Sequence, residues 1–430
     1  MRNQEPRPAG IPLNIKGAYA VPAVLEECQQ HDQIRRVLSQ HLPERLTWVD
    51  PGLVVQRGQR NAGLNTHWAG GVVLAGARAP NPGAASALDG YSTGFNSQEH
   101  VNFIGANTHV HELAYVNAQW VFRDLTALTA APNAAAGSAL AGYSTEFNDQ
   151  QHVIYIGTDL HVHELVFDNG WHHTDLTIAA GAAAFLPMGN TALAGYVTGF
   201  NEQQHVIYQG TDSHVHELMY NGGWHHTDLS AAAGALGTLP RPASPLAGFA
   251  TEFNNQQHVF YIDQNGLIHE LMFDTGWHHA NLTLVGGAAN SPAGVGSMLA
   301  GYVTGFNEQQ HVVYIGFDNH VHELFFDNSW HHNDLTVAAG AAAMLPTAGS
   351  ALDGYATPFN QQQHVNYIGT DNHVHELFFI NNWQHNDLTV QSSAPAIRLG
   401  TPLVGYATSF NGQQHVIYIG ADSHVHELWF

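Results

Sequence analysis

Three residue types recur at fixed spacing and could do chemistry together: a histidine, a glutamate twelve residues on, and a tryptophan seven or eight residues beyond that. The histidines are His100, His152, His205, His258, His311, His364 and His415. The glutamates are Glu112, Glu164, Glu217, Glu270, Glu323, Glu376 and Glu427, and the tryptophans Trp120, Trp171, Trp224, Trp277, Trp330 and Trp383. Trp68, 52 residues before Trp120, is in register with the tryptophan series. A carboxylate accepts hydrogen bonds from vicinal hydroxyls, an imidazole donates or accepts, and an indole face packs against a patch of C–H groups. A pyranose offers both kinds of surface, so the set has the chemistry of a sugar site. Each such site would be weak, and seven on one rigid frame would act through avidity.

The elements that position these residues come from a repeat. The histidines are separated by 52, 53, 53, 53, 53 and 51 residues, so one structural unit is used seven times. Repeats start near residues 87, 139, 192, 245, 298, 351 and 402. In the second copy four segments have strand character: Leu140 to Phe147, His152 to Ile156, His161 to Phe167 and Trp171 to Thr177. The turn signals Gly157-Thr158-Asp159 and Asp168-Asn169-Gly170 separate the last three, as in consecutive antiparallel hairpins. Four strands in about 52 residues, seven times over, predict an all-β seven-bladed β-propeller of four-stranded antiparallel blades. Ala-Gly-rich stretches such as Ile178 to Met188 read as variable loops between blades.

Register decides which side chains meet, because a slip of one residue sends each to the opposite face. A three-residue Thr158-Asp159-Leu160 loop pairs Ile154 with Glu164. His152 and Glu164 then share one face, and Tyr155, His161 and His163 the other. A two-residue loop would instead join His152 to His161 and His163. The first register is preferred, because Leu, Ser, Asn or Gly at the third loop position suits the left-handed residue of a bulged loop.

The seventh copy reaches Phe430 just after its third strand. The register of Trp68 predicts that residues near 65–74 supply the missing fourth strand, closing the ring and hiding its edges. The expected organisation is an N-terminal extension over 1–62, with one short helix between Ala23 and Leu42, and the propeller over 63–430.

Composition narrows the function classes. Net charge is −23, and residues 1–86 hold nine of the twelve basic side chains against six of the 35 acidic ones, so the remainder carries 3 − 29 = −26. That acidity disfavours nucleic acid and anionic lipid as partners. Cys28 is the only cysteine, which excludes intrachain disulfides. No classical signal peptide or apolar run of about 18 residues is evident, so neither membrane insertion nor classical secretion is expected, leaving a cytoplasmic or non-classically exported protein.

Other readings of the same residues compete. His161 and His163 could ligate a metal from one strand face, but the fourth copy has Leu267 in place of the first of the pair, so no metal and no cofactor is expected. An enzyme should have one deviant blade with added polar groups, and the most deviant copy, with Val121-Phe122-Arg123, loses them instead. No nucleophile elbow, phosphate loop or His-Glu-x-x-His is present, so no catalysis is expected. The His-His-x-Asp run, as in His172-His173-Thr174-Asp175, reads as a structural network in which Asp175 and one of the two histidines tie strands of the blade together.

The run HVIYIGTDLHVHEL followed by DNGW resembles the blade repeat of the fucose-binding β-propeller lectins of fungi and bacteria, including seven-bladed bacterial members, over residues 87–430. In that family a second-strand Arg and a third-strand Glu hold the sugar between blades, and a Trp stacks on it. The resemblance carries these roles to His152, Glu164 and Trp171 and to their equivalents in the other copies, the aromatic at each site coming from the same or the adjoining blade. The departure is His in place of Arg in all seven copies. The expectation is a multivalent carbohydrate-binding protein whose partners are glycans or glycoconjugates. The alternative is a non-catalytic propeller scaffold for protein–protein interaction, its His, Glu and Asp residues serving as internal braces.

Overall fold

The structure is a computed structural model that describes residues 69–73, 79–84 and 86–430, the first of these segments by its backbone. Trp68, the expected helix between Ala23 and Leu42, and the remainder of the N-terminal extension lie outside the described residues.

Alternation at period two, broken by turn residues, produces strands throughout. In the second blade they are Leu140–Thr145, Gln150–Ile156, Val162–Phe167 and Trp171–Asp175. Their antiparallel register pairs Tyr143 with His152, Ile154 with Glu164, His163 with Asp175 and Phe167 with Trp171. Leu160 has φ 65°, so the three-residue loop and the preferred register are those observed. Seven four-stranded sheets of this kind form a seven-bladed β-propeller.

In the seventh sheet the first three strands run from Leu403 to Trp429, and the fourth is Ala69–Val73. Ala69 pairs with Trp429 and Val73 with His426, with a bulge between Gly70 and Val72. An N-terminal strand therefore closes the ring.

The second and third strands are buried on both sides because each blade is covered by two neighbours. Ile154 and Ile156 of blade two pack with Leu193, Val206 and Tyr208 of blade three. Val153 and Tyr155, one residue out of phase, pack with Ile104 and Val110 of blade one. A further apolar layer joins Leu88, Val101 and Phe103 of blade one to Tyr406 and Ile417 of blade seven. The core is thus divided among the interblade layers, and His152 and Glu164 lie on the face turned toward blade three. Gly195 of blade three faces the Tyr143 ring of blade two, where a Cβ would sit 2.8 Å from ring carbons. That contact explains the glycine of the repeated Leu-Ala-Gly-Tyr.

The connectors differ from the expected loops in their first turn, which is a short helix, Leu176–Ala179 after blade two. Asp175 caps it, accepting from the Ile178 N–H at 2.9 Å. Thr177 accepts from the Val162 N–H at 2.9 Å, tying the helix to the third strand. Among the described residues no helix is long and apolar enough to cross a membrane.

Candidate functional site

The histidine of the second strand is held on every side. Tyr143 stacks on His152 with ring centroids 4.9 Å apart and planes at 16°. His152 Nε2 lies 3.0 Å from the Thr145 hydroxyl, and Nδ1 lies 2.8 Å from Glu164 Oε1. The histidine–glutamate contact recurs at 2.8–2.9 Å in all seven blades. Both ring nitrogens are therefore engaged and the ring is buried. What His152 can do chemically is fix the direction of the Glu164 carboxylate.

Between blades two and three lies a cleft of about 300 Å³. Blade two lines it with Asn148, Gln150, His152, Glu164, Asp168, His172 and Thr174, and blade three with Gln204, Tyr220 and Trp224. The fold brings together one blade's histidine and glutamate with the adjoining blade's tryptophan, so Trp171 belongs with His100 and Glu112 by the same repeat. Trp224 is half-buried, packed against the interblade core and braced edge-on by Tyr220 at 5.5 Å. Trp383 is the one tryptophan of the six that is buried, at 8 % exposure. The fourth strand's side chains in the seventh sheet lie outside the described residues.

Gln204, Tyr220 and Thr174 were not among the sequence-derived candidates. Gln204 is legible as the residue before each repeated histidine, and Thr174 as the variable position of His-His-x-Asp. That position holds Arg123 in blade one, where Nη1 donates to Glu112 Oε2 at 2.5 Å. Burial alone would raise the Glu112 carboxyl, but His100 and then Arg123 hold it below the usual carboxylate range.

The opposite face carries the braces. His161 Nδ1 meets Asp175 Oδ2 at 2.7 Å, and His163 lies between Asp159 Oδ1 at 2.9 Å and His173 Nε2 at 2.9 Å. Asp175 is therefore partnered by His161, and His173 by His163, so the run ties the fourth strand to the third. The reason is the register: the side chain of Asp175 reaches diagonally along the third strand, while exposed His172 turns to the cleft. Partial burial disfavours the Asp159 charge, but the His163 hydrogen bond and the His161 N–H outweigh it and keep the acid below its ordinary range. Burial, then the neighbouring His163, lowers His173. The ligand atoms of Asp159, His163 and Asp175 lie within 4.8 Å of one another, as do those of comparable groups in blades three, five and six. In blade two these atoms hydrogen-bond within the brace.

A polar interblade cleft on a closed ring of seven like blades defines a propeller of the binding class. The model of the fungal fucose-specific lectin family matches residues 91–339, more than half of the chain, and the protein belongs to that family. It is a carbohydrate-binding protein of the lectin type. Among solved structures, the BP39L lectin of Burkholderia pseudomallei is 16% identical with a TM-score of 0.61, over 81% of this chain and 96% of that one. AofleA of Arthrobotrys oligospora is 15% identical with a TM-score of 0.50, over 70% of this chain and 86% of that one. At these identities the likeness is one of fold. No curated protein matches the chain by sequence.

Proposed function

We propose that the protein binds glycans, with fucose or a related sugar as the recognised unit, in the clefts between successive blades and without catalysing a reaction. The observation that carries this reading is the cleft between blades two and three, where a carboxylate aimed by His152 stands across from the half-buried Trp224. Glu164 accepts from sugar hydroxyls, Trp224 packs on the apolar sugar face, and Gln204 and His172 supply further polar contacts. His152 acts through Glu164. The family membership supports fucose as the first sugar to try, and repetition of the cleft supports avidity for a glycosylated surface.

A glycan array of the intact protein, with and without a chelator, tests this. Sugar-specific signal that survives the chelator is expected. Absence of signal in both conditions would favour the scaffold reading, which the full engagement of the His152 nitrogens also motivates. Signal abolished by chelation would point to a metal-dependent site.

A further inference from the structure

The residue across from the repeated glutamate changes from blade to blade. In register with Glu112, Glu164, Glu217, Glu270, Glu323 and Glu376 stand Arg123, Thr174, Thr227, Ala280, Asn333 and Asn386. In blades five and six the asparagine amide takes the second carboxylate oxygen: Asn333 Nδ2 donates to Glu323 Oε2 at 3.2 Å, and Asn386 Nδ2 to Glu376 Oε2 at 3.1 Å. Arg123 does the same to Glu112 in blade one. In blades two, three and four the shorter Thr174, Thr227 and Ala280 make no such bond. Among the described residues, the hydrogen bond these glutamates receive comes from the histidine, on Oε1.

Exposure follows the same division. The glutamate side chains of blades two, three and four are 6%, 5% and 8% exposed, against 0%, 3% and 2% in blades one, five and six. A ligand hydroxyl can donate to the open oxygen directly. At a capped one it must displace an amide or guanidinium and leave that group without its acceptor, a cost comparable to the bond gained.

We infer that this fourth-strand position selects which clefts bind sugar: those after blades two, three and four are open to a neutral sugar that donates a hydroxyl hydrogen, and those after blades one, five and six are closed by Arg123, Asn333 and Asn386. The inference rests on the lectin reading above. Among the six clefts whose fourth-strand side chain is described, it leaves three adjacent ones open.

The test is a crystal structure of the full chain in a saturating methyl glycoside, together with calorimetric site counts. The glycoside is the tightest binder among those of L-fucose, D-galactose, D-mannose and N-acetylglucosamine. Sugar density is expected after blades two, three and four and absent after blades one, five and six. Thr174→Asn and Thr227→Asn should each remove one site from the count, and Asn333→Thr and Asn386→Thr should each add one. A wild-type protein that binds sugar equally after blades four and five, or a count unmoved by these variants at unchanged melting temperature, overturns the inference while leaving the lectin reading intact. Failure of the wild type to bind any of the four overturns both.

Discussion

Tyr143 and Gly195 belong to different blades, yet the tyrosine ring occupies the space that a Cβ at Gly195 would need, 2.8 Å away. The same ring stacks on His152, so the fit between blades and the orientation of the site share one side chain. Gly195→Ala should therefore cost about 1–3 kcal/mol through overpacking. Thermal unfolding would show it, and an unchanged melting temperature would mean that the blades do not meet this closely.

Removing the carboxylate should separate site from brace. Glu164→Gln preserves shape and offers a neutral acceptor to His152, so a stability loss of only about 1 kcal/mol is expected. Binding to a multivalent glycan surface should weaken modestly, because one cleft of the set is lost. If Glu164→Gln melts far below the wild type and binds glycan as before, the pair is structural alone.

Acid should loosen the braces. His173, His226, His279, His332 and His385 are all held below their ordinary values, by burial first and in all but His279 then by the histidine beside them. Depressed folded values mean that this contribution is complete above the unfolded value near 6.5 and is lost as pH falls below it. Melting temperature should drop between pH 7 and pH 5. His173→Gln should flatten that dependence, and an identical slope in the variant would exclude the pair as a cause.

Two carboxyls act in the opposite sense. Asp89 and Asp353, on the first strands of blades one and six, accept from the backbone N–H groups of Gly142 and Gly405 in the next blades. Burial raises each to about 7. A raised folded value means that their ionisation costs stability progressively from about pH 4 to about pH 7. Asp89→Asn and Asp353→Asn should each stabilise the fold by about 1–2 kcal/mol more at pH 8 than at pH 5. A gain equal at both pH values would show that charge is not the cause.

These aspartates also show what the sequence holds and what it hides. The copies with Asp on the first strand are those with Asn on the second, Asp89 with Asn102 and Asp353 with Asn366, which the register sets face to face. The covariation is visible in the repeat, although its burial is not. The period, the four strands per blade and the Glu164 register were legible because turn residues and alternation act locally. The partners of His173 and Asp175 were not, because they depend on how two strands twist past each other. Nor did the sequence place Trp224 rather than Trp171 beside Glu164, since that depends on how blades stack.

Loss of the closing strand should be costly. A chain beginning at Gly83 leaves the strand Val425–Trp429 as a bare edge, and it should melt well below the full chain and aggregate more readily. Equal melting temperatures would deny the strand its role.

The pairing of Ala69 with Trp429 also sets an order of events during synthesis. Six blades can assemble from consecutive segments as the polypeptide emerges, whereas the strand made first must wait, partnerless, until the segment around residue 429 has left the ribosome. Until then the strand made first remains an unpaired edge, open to pairing with another chain.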